Sequence, residues 1–169
     1  VGAATQEDGS VSVYEVLHRA DDSMYRVKLL EKTSAHSAII LSLQKILSEK
    51  STETEEHAKR LRDLCLQMGR VLRLPDHQLA ELSLLALLHD LGKVAIPDEI
   101  LMKPGPLTPD QWDIMRRHPE IGYRIASASP DLLHIANAIL SHHERWDGKG
   151  YPQGLRGENI PLSSRILAV

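Results

Sequence analysis

Phenylalanine is missing from this chain altogether, and aromatic residues of all kinds make up only 4% of it. A core must therefore be filled by Leu, Ile, Val, Ala and Met, a palette that favours helices. Cysteine is nearly as scarce. Cys65 stands alone, which excludes an intrachain disulfide and a thiolate-built zinc cage. With Leu61, Leu64 and Met68 around it at helical spacing, Cys65 reads as a small core residue rather than a reactive thiol, and a reducing cytoplasm is the simplest compartment. No apolar run approaches the roughly 20 residues of a membrane span, and Val1–Ala4 lacks the charged and hydrophobic regions of a signal peptide. An excess of positive charge is lacking too: the formal net charge of −3 argues against a general binder of DNA or RNA. It leaves room for a small phosphate ligand held through a metal. The 169 residues, 42% apolar and 25% charged, suit one soluble domain of ordinary size.

What is present is helical periodicity, and the fold reads as all-α. Apolar positions recur from Val13 to Leu30 and again from Ala35 to Leu47, where the polar Ser48–Thr52 interrupts them. Ser51 or Thr52 can cap a further helix whose first turn holds Glu53, Glu55 and Glu56. Its apolar stripe is Leu61, Leu64, Cys65, Met68, Val71 and Leu72. Pro75 opens the next helix, which runs to His89 with Gly92 ending it. The proline-rich stretch from Ala95 to Leu107 is expected to be an ordered loop with at most a short turn. Thr108-Pro109-Asp110-Gln111 has the pattern of a capping box, and its helix is expected to continue through Met115, His118, Gly122 and Ile125. Pro130 or Asp131 opens another helix reaching His142 and His143. A glycine-rich loop, Asp147–Gly157, follows, and Pro161 starts a helix that the chain end interrupts.

Nine histidines are many for this length, and their placement matters more than their number. Glu53 and His57 are four apart on one helix and so share a face. His89-Asp90 and His142-His143 end apolar helices, and His118 sits on the inner face of its own. Each has an ordinary alternative: a lone histidine on an apolar face is more often a hydrogen-bonded core residue than a ligand. His18, His36, His77 and His134 read as surface or boundary residues.

The surroundings of these residues are more specific. His89-Asp90-Leu91-Gly92-Lys93 resembles the signature of HD-superfamily phosphohydrolases. Ile96-Pro97-Asp98-Glu99-Ile100-Leu101, Lys103-Pro104-Gly105, Met115-Arg116-Arg117-His118-Pro119 and the run from His142 to Pro152 resemble the HD-GYP branch, as do Gly154-Leu155, Gly157, Ile160-Pro161 and Arg165-Ile166. The resemblance covers about residues 50–169. It implies an HD-domain-like helical bundle that hydrolyses cyclic di-GMP, with His57, His89, Asp90, His118, His142 and His143 as metal ligands and Glu53 as the further carboxylate of three-metal members. Two or three divalent ions are implied, iron or manganese, and imidazole with carboxylate suits them chemically.

A phosphodiester anion resists attack, so hydrolysis calls for positive charge on its oxygens and an activated water, which paired metals supply. By resemblance, Asp90 bridges the metals and Lys93 binds a phosphate oxygen; a helix-end cation is the plainer role for Lys93. Gly150, Tyr151 and Pro152 are candidate substrate contacts, with a rigid turn that positions the histidine pair an equal alternative.

Two features depart from the family pattern. An aspartate ligand and further helices are expected just beyond Val169, so the bundle reads as truncated at its C-terminus. Leu17, Arg19-Ala20-Asp21, Met24-Tyr25 and Lys28 resemble the last helix of a GGDEF domain, with Val1-Gly2-Ala3 as its preceding strand. The organisation expected is a GGDEF remnant over 1–32, a connecting helix over 33–50 and an HD-GYP domain over 51–169, in a bacterial signalling protein. Candidate partners are cyclic di-GMP, GGDEF domains and a second copy of the chain. The alternatives are a catalytically weak nucleotide- or partner-binding module, and an HD phosphohydrolase for another nucleotide.

Overall fold

A computed structural model describes residues 40–43, 45–50 and 55–169 of the chain. The expected helix over Val13–Leu30, the GGDEF-like residues, Glu53 and the caps Ser51 and Thr52 lie outside the described residues. The chain divides after Ser42 into two units, and the second, Leu43–Val169, carries nearly everything described below.

The regular structure of the described residues is all helical, with no strand among them. Residues 45–50 are helical, so the interruption expected over Ser48–Thr52 does not begin at Ser48. Helix α1 spans Glu55–Val71 and α2 spans Asp76–Leu88, with Pro75 at its N-cap as its sequence implied. A 3-10 turn follows at Leu91–Ala95, then α3 (Asp98–Leu101), α4 (Pro109–Met115), α5 (His118–Ser127) and α6 (Leu133–Leu140). A second 3-10 turn, Gly157–Asn159, leads to α7 (Leu162–Leu167) behind Pro161. No helix among the described residues is long and apolar enough to cross a membrane.

Apolar residues occur on nearly every side of α2, and a helix of that kind belongs in the middle of a domain. It packs against α1, α6 and α7, with Leu82, Leu85, Ala86 and Leu88 fully buried. Ile135, Ala136 and Ile139 of α6, Ile166 and Leu167 of α7 and Cys65 of α1 complete the core without any phenylalanine. Burial also raises the Cys65 thiol pKa, in keeping with an inert core residue. The stripe expected along α1 is only partly covered: Leu61, Cys65 and Met68 join the core, while Leu64, Val71 and Leu72 are 56%, 81% and 50% exposed.

Two further expectations are corrected. The helix expected to run from Thr108 past Ile125 is two helices, α4 and α5, broken at Arg116 and Arg117. Pro119 has no N–H to give the carbonyl of Met115, four residues back, and its ring clashes with a continuing helix. The N-terminal half is as expected: Thr108 Oγ1 accepts from the Gln111 amide at 3.3 Å and Gln111 Oε1 accepts from the Thr108 amide at 3.0 Å. The helix expected to open at Pro130 or Asp131 and reach the His142-His143 pair runs from Leu133 to Leu140, stopping before the pair, which lies in the following turn.

Gly92 does not end α2, which stops at Leu88. It lies inside the 3-10 turn, where a β-carbon would run into the carbonyl of His118. Gly122 of α5 faces it, and a β-carbon there would lie 3.2 Å from the Gly92 nitrogen and 2.8 Å from an Ile139 methyl. The two glycines let the turn carrying Asp90 and the helix carrying His118 approach backbone to backbone.

Candidate metal centre

Three helix ends build the site in one way. A helix leaves its last carbonyls without intrahelical donors. His89 Nδ1 contacts the Ala86 carbonyl at 3.1 Å, His118 Nδ1 the Met115 carbonyl at 2.8 Å, and His142 Nδ1 the Ile139 carbonyl at 2.6 Å. Each is the carbonyl three residues back, in the last turn of α2, α4 and α6 respectively. A carbonyl only accepts, so each Nδ1 donates its N–H and each Nε2 is the ring nitrogen turned into the site. The break at Arg116-Arg117 thus has a use: the Met115 carbonyl that Pro119 cannot engage holds the ring of His118.

The three Nε2 atoms converge on Asp90. His118 Nε2 is 3.2 Å from Asp90 Oδ1 and 3.2 Å from His142 Nε2. His142 Nε2 is 3.8 Å from Oδ1, and His89 Nε2 is 3.1 Å from Oδ2. Lys93 Nζ reaches Oδ2 at 2.7 Å from the next turn. His143 lies beside them, its ring centroid 4.1 Å from that of His142 and 5.0 Å from that of His118. Ligand atoms of Asp90, His118, His142 and His143 all lie within 4.8 Å of one another.

The electrostatics follow from burial and crowding. Burial alone would raise Asp90, but its contacts with His118 and His89 and the charge of Lys93 outweigh that and hold the carboxyl well below the usual carboxylate range. Burial, then the neighbouring His143 and His89, pushes His142 well below the ordinary imidazole value. His143 is pushed down to about 4, by burial first and His118 second. At neutral pH these groups hold the forms that ligate a metal. His118 Nε2 and His142 Nε2 face one another at 3.2 Å beside the Asp90 carboxylate, so ligating atoms crowd around one point. A cation resolves that arrangement, and an oxygen- and imidazole-rich set without thiolate fits a divalent ion of the iron, manganese or zinc kind.

The loop after the pair is held by Glu144, to which the sequence pattern assigns no role. Glu144 is 5% exposed, and its carboxylate accepts from the amides of Gln153 at 2.6 Å and Leu155 at 2.9 Å. An acid directly after two inward-facing histidines was the available signal for it. Tyr151 donates its amide to the His143 carbonyl at 3.2 Å and stacks its ring on His143, centroids 4.7 Å apart and planes 22° off parallel. Its hydroxyl is pushed up to about 12 by burial and then by Asp90. Gly150 lies where a β-carbon would strike the backbone of Glu144 and Arg145, and the Tyr151–Pro152 bond is cis.

Of the candidate ligands, then, His89, Asp90, His118, His142 and His143 come together. His57 is an exposed residue in the first turn of α1 and is not in the four-residue cluster, and Glu53 lies outside the described residues. Lys93 is beside Asp90, and Tyr151 beside His143.

Comparison with known proteins agrees with this geometry. A family model described as an HD domain matches residues 41–169. A cyclic di-GMP phosphodiesterase of Thermotoga maritima is 44% identical over 133 residues, covering 77% of this chain and 36% of that protein. The cyclic di-GMP phosphodiesterase response regulator RpfG of Xanthomonas campestris is 43% identical over 118 residues, 69% of this chain and 31% of its own length. A 3'3'-cGAMP-specific phosphodiesterase of Vibrio cholerae is 39% identical over 133 residues, 78% of this chain and 26% of its own length. The chain spans roughly a quarter to a third of the length of these relatives.

Proposed function

Since this chain belongs to the HD domain family, we propose that it is the phosphodiesterase portion of a bacterial signalling protein that hydrolyses a cyclic dinucleotide, cyclic di-GMP first. The observation that carries the reading is the convergence of the Nε2 atoms of His89, His118 and His142 on the Asp90 carboxylate. Iron or manganese, two or three ions, is the metal set proposed, with His143, and by resemblance His57 and Glu53, as the remaining ligands. Such ions, when bound, place positive charge on phosphate oxygens and make water nucleophilic at neutral pH.

The chain's own residues supply the rest. Asp90 presents Oδ1 toward His118 and His142 and Oδ2 toward His89 and Lys93, a disposition suited to a carboxylate shared between two cations. Lys93, with 18% side-chain exposure, offers an ammonium to a phosphate oxygen at the same place. The Glu144 clamp keeps Gly150, Tyr151 and Pro152 against the histidine pair, where they can contact the nucleotide.

Relatives named for 3'3'-cGAMP favour a second substrate of the same chemical class. A weakly catalytic binding module is the other reading; the intact His89, Asp90, His118, His142 and His143 set speaks for turnover. We further propose that residues 1–32 end a GGDEF domain, on Arg19-Ala20-Asp21 and Met24-Tyr25, and that 33–50 connect it to the domain over 51–169. The family match starts at residue 41. GGDEF domains and a second copy are the proposed protein partners, and a single cysteine suits the cytoplasm. The test is metal analysis with turnover of cyclic di-GMP and 3'3'-cGAMP by the manganese-loaded chain, alongside His89→Ala and Asp90→Ala. Hydrolysis lost in both variants is expected; unchanged rates in both would remove the metal-hydrolase reading.

A further inference from the structure

Outward from the metal centre, four side chains follow one another in contact. Tyr151 stacks on His143. The Arg116 guanidinium lies 5.7 Å from the Tyr151 ring centroid and 5.8 Å from that of Trp112. Trp112 and Arg116 are four residues apart at the end of α4, so the helix presents them on one face. Both are exposed. Lys103 is hydrogen-bonded to Gln111 at 2.7 Å and Arg145 to both carboxylate oxygens of Asp147, while Lys93 sits on Asp90 at the metal centre. Among the described residues, no carboxylate or carbonyl takes the N–H groups of Arg116.

A guanidinium held between two aromatic rings is restrained in position yet keeps its N–H donors for a ligand, and a phosphate matches that fork two bonds at a time. We propose that Arg116 is a specificity-determining residue that binds the second phosphodiester of a cyclic dinucleotide while the first lies at the Asp90 centre. The inference rests on the function proposed above and deepens it. A cyclic dinucleotide joins its two phosphates in one closed ring, so fixing one at the metal centre delivers the other to the adjoining surface. Tyr151 is the residue between the two places, and Arg116 stands immediately beyond it. A substrate with a single phosphodiester has nothing for Arg116 to hold. The site then selects for paired phosphates rather than for a base, which accommodates both relatives' substrates.

The test compares cyclic di-GMP with bis(p-nitrophenyl) phosphate, which has one phosphodiester, using the manganese-loaded full chain. The readouts are the ratio of kcat/KM on the two substrates and cyclic di-GMP affinity by calorimetry. Arg116→Ala should lower the ratio by about tenfold or more, chiefly through KM, and weaken binding in parallel. Arg116→Lys, which keeps the charge and loses the fork, should fall between. Arg117→Ala, the loss of an exposed neighbouring cation, should leave the ratio where it was. An equal fall on both substrates, an unmoved ratio, or an equal effect of Arg117→Ala would each overturn the proposal. Wild-type chain that neither binds nor cleaves cyclic di-GMP would overturn the reading beneath it as well; wild-type turnover with unaltered Arg116→Ala would overturn this inference alone.

Discussion

Gly92 and His118 meet backbone to backbone: a β-carbon at Gly92 would collide with the His118 carbonyl oxygen and lie 2.7 Å from its carbonyl carbon and 2.6 Å from the Gly122 nitrogen. The contact joins the turn after Asp90 to the first residue of α5, so it sets the spacing of two members of the metal centre. Backbone cannot rotate aside as a side chain can. Gly92→Ala should cost about 1–3 kcal/mol or more through overpacking, and should lower bound metal by shifting His118 from Asp90. Urea unfolding and metal analysis on the same sample test it. A variant of wild-type stability and metal content would show that α5 can move without consequence.

The buried imidazoles should make the metal-free chain acid-sensitive. His143, held down to about 4, and His142, lower than usual, stay neutral where an unfolded histidine, with a pKa of about 6.5, takes up a proton. The unfolded state then binds more protons, so stability falls as pH drops from about 6.5 towards 4 and is level above about 7. Asp90, held low, adds a loss in the same direction as pH falls below the ordinary carboxylate value of about 4. Thermal midpoints of metal-free chain between pH 4 and 8 should trace this, with a shallower slope in His143→Gln. A midpoint that rises on acidification would contradict neutral rings.

Asp90 and His57 should separate the centre from its rim. Asp90→Asn removes the charge shared by the histidines and Lys93, and turnover should fall at least about a hundredfold with the loss of several kcal/mol of charge stabilisation. His57→Ala, in the exposed first turn of α1, should remove a fraction of the metal. Unchanged metal per chain in His57→Ala would take His57 out of the ligand set.

Glu144→Gln should loosen the loop and leave the helices alone. An amide offers one acceptor oxygen where the carboxylate serves the Gln153 and Leu155 amides with two, and it turns an N–H toward one of them. An unsatisfied buried donor costs about 1–3 kcal/mol. Protease cleavage within residues 148–157 should quicken while far-ultraviolet circular dichroism stays unchanged. Equal cleavage rates would mean that other contacts hold the loop.

Much of this was legible in the residues themselves. Thr108 and Gln111 form the capping box that their spacing announced, Pro75 and Pro161 stand before helices, and Cys65 is core. His89, Asp90, His118, His142 and His143 come together as their surroundings implied. The break after Met115 was missed because the apolar spacing continues across it, although Pro119 carried the signal. Leu64, Val71 and Leu72 show the limit of periodicity, which finds an apolar face but not the neighbour that covers it. The carbonyls that aim the histidine rings were invisible for a simpler reason: every residue has one, and only the end of a helix leaves it open.

Those carbonyls also say what kinds of change the centre can absorb. Each ring and its anchor are separated by two residues: Leu87 and Leu88, Arg116 and Arg117, Leu140 and Ser141. Lengthening a helix upstream of its anchor carries anchor and ring along together, so the unit stays whole even as it turns about the axis. One residue inserted inside the pair of spacers divorces the ring from its anchor and frees the imidazole to choose its own tautomer. The four-residue stretch that closes each helix is thus a portable ligand, complete wherever a helix stops, and three of them meet over one aspartate here.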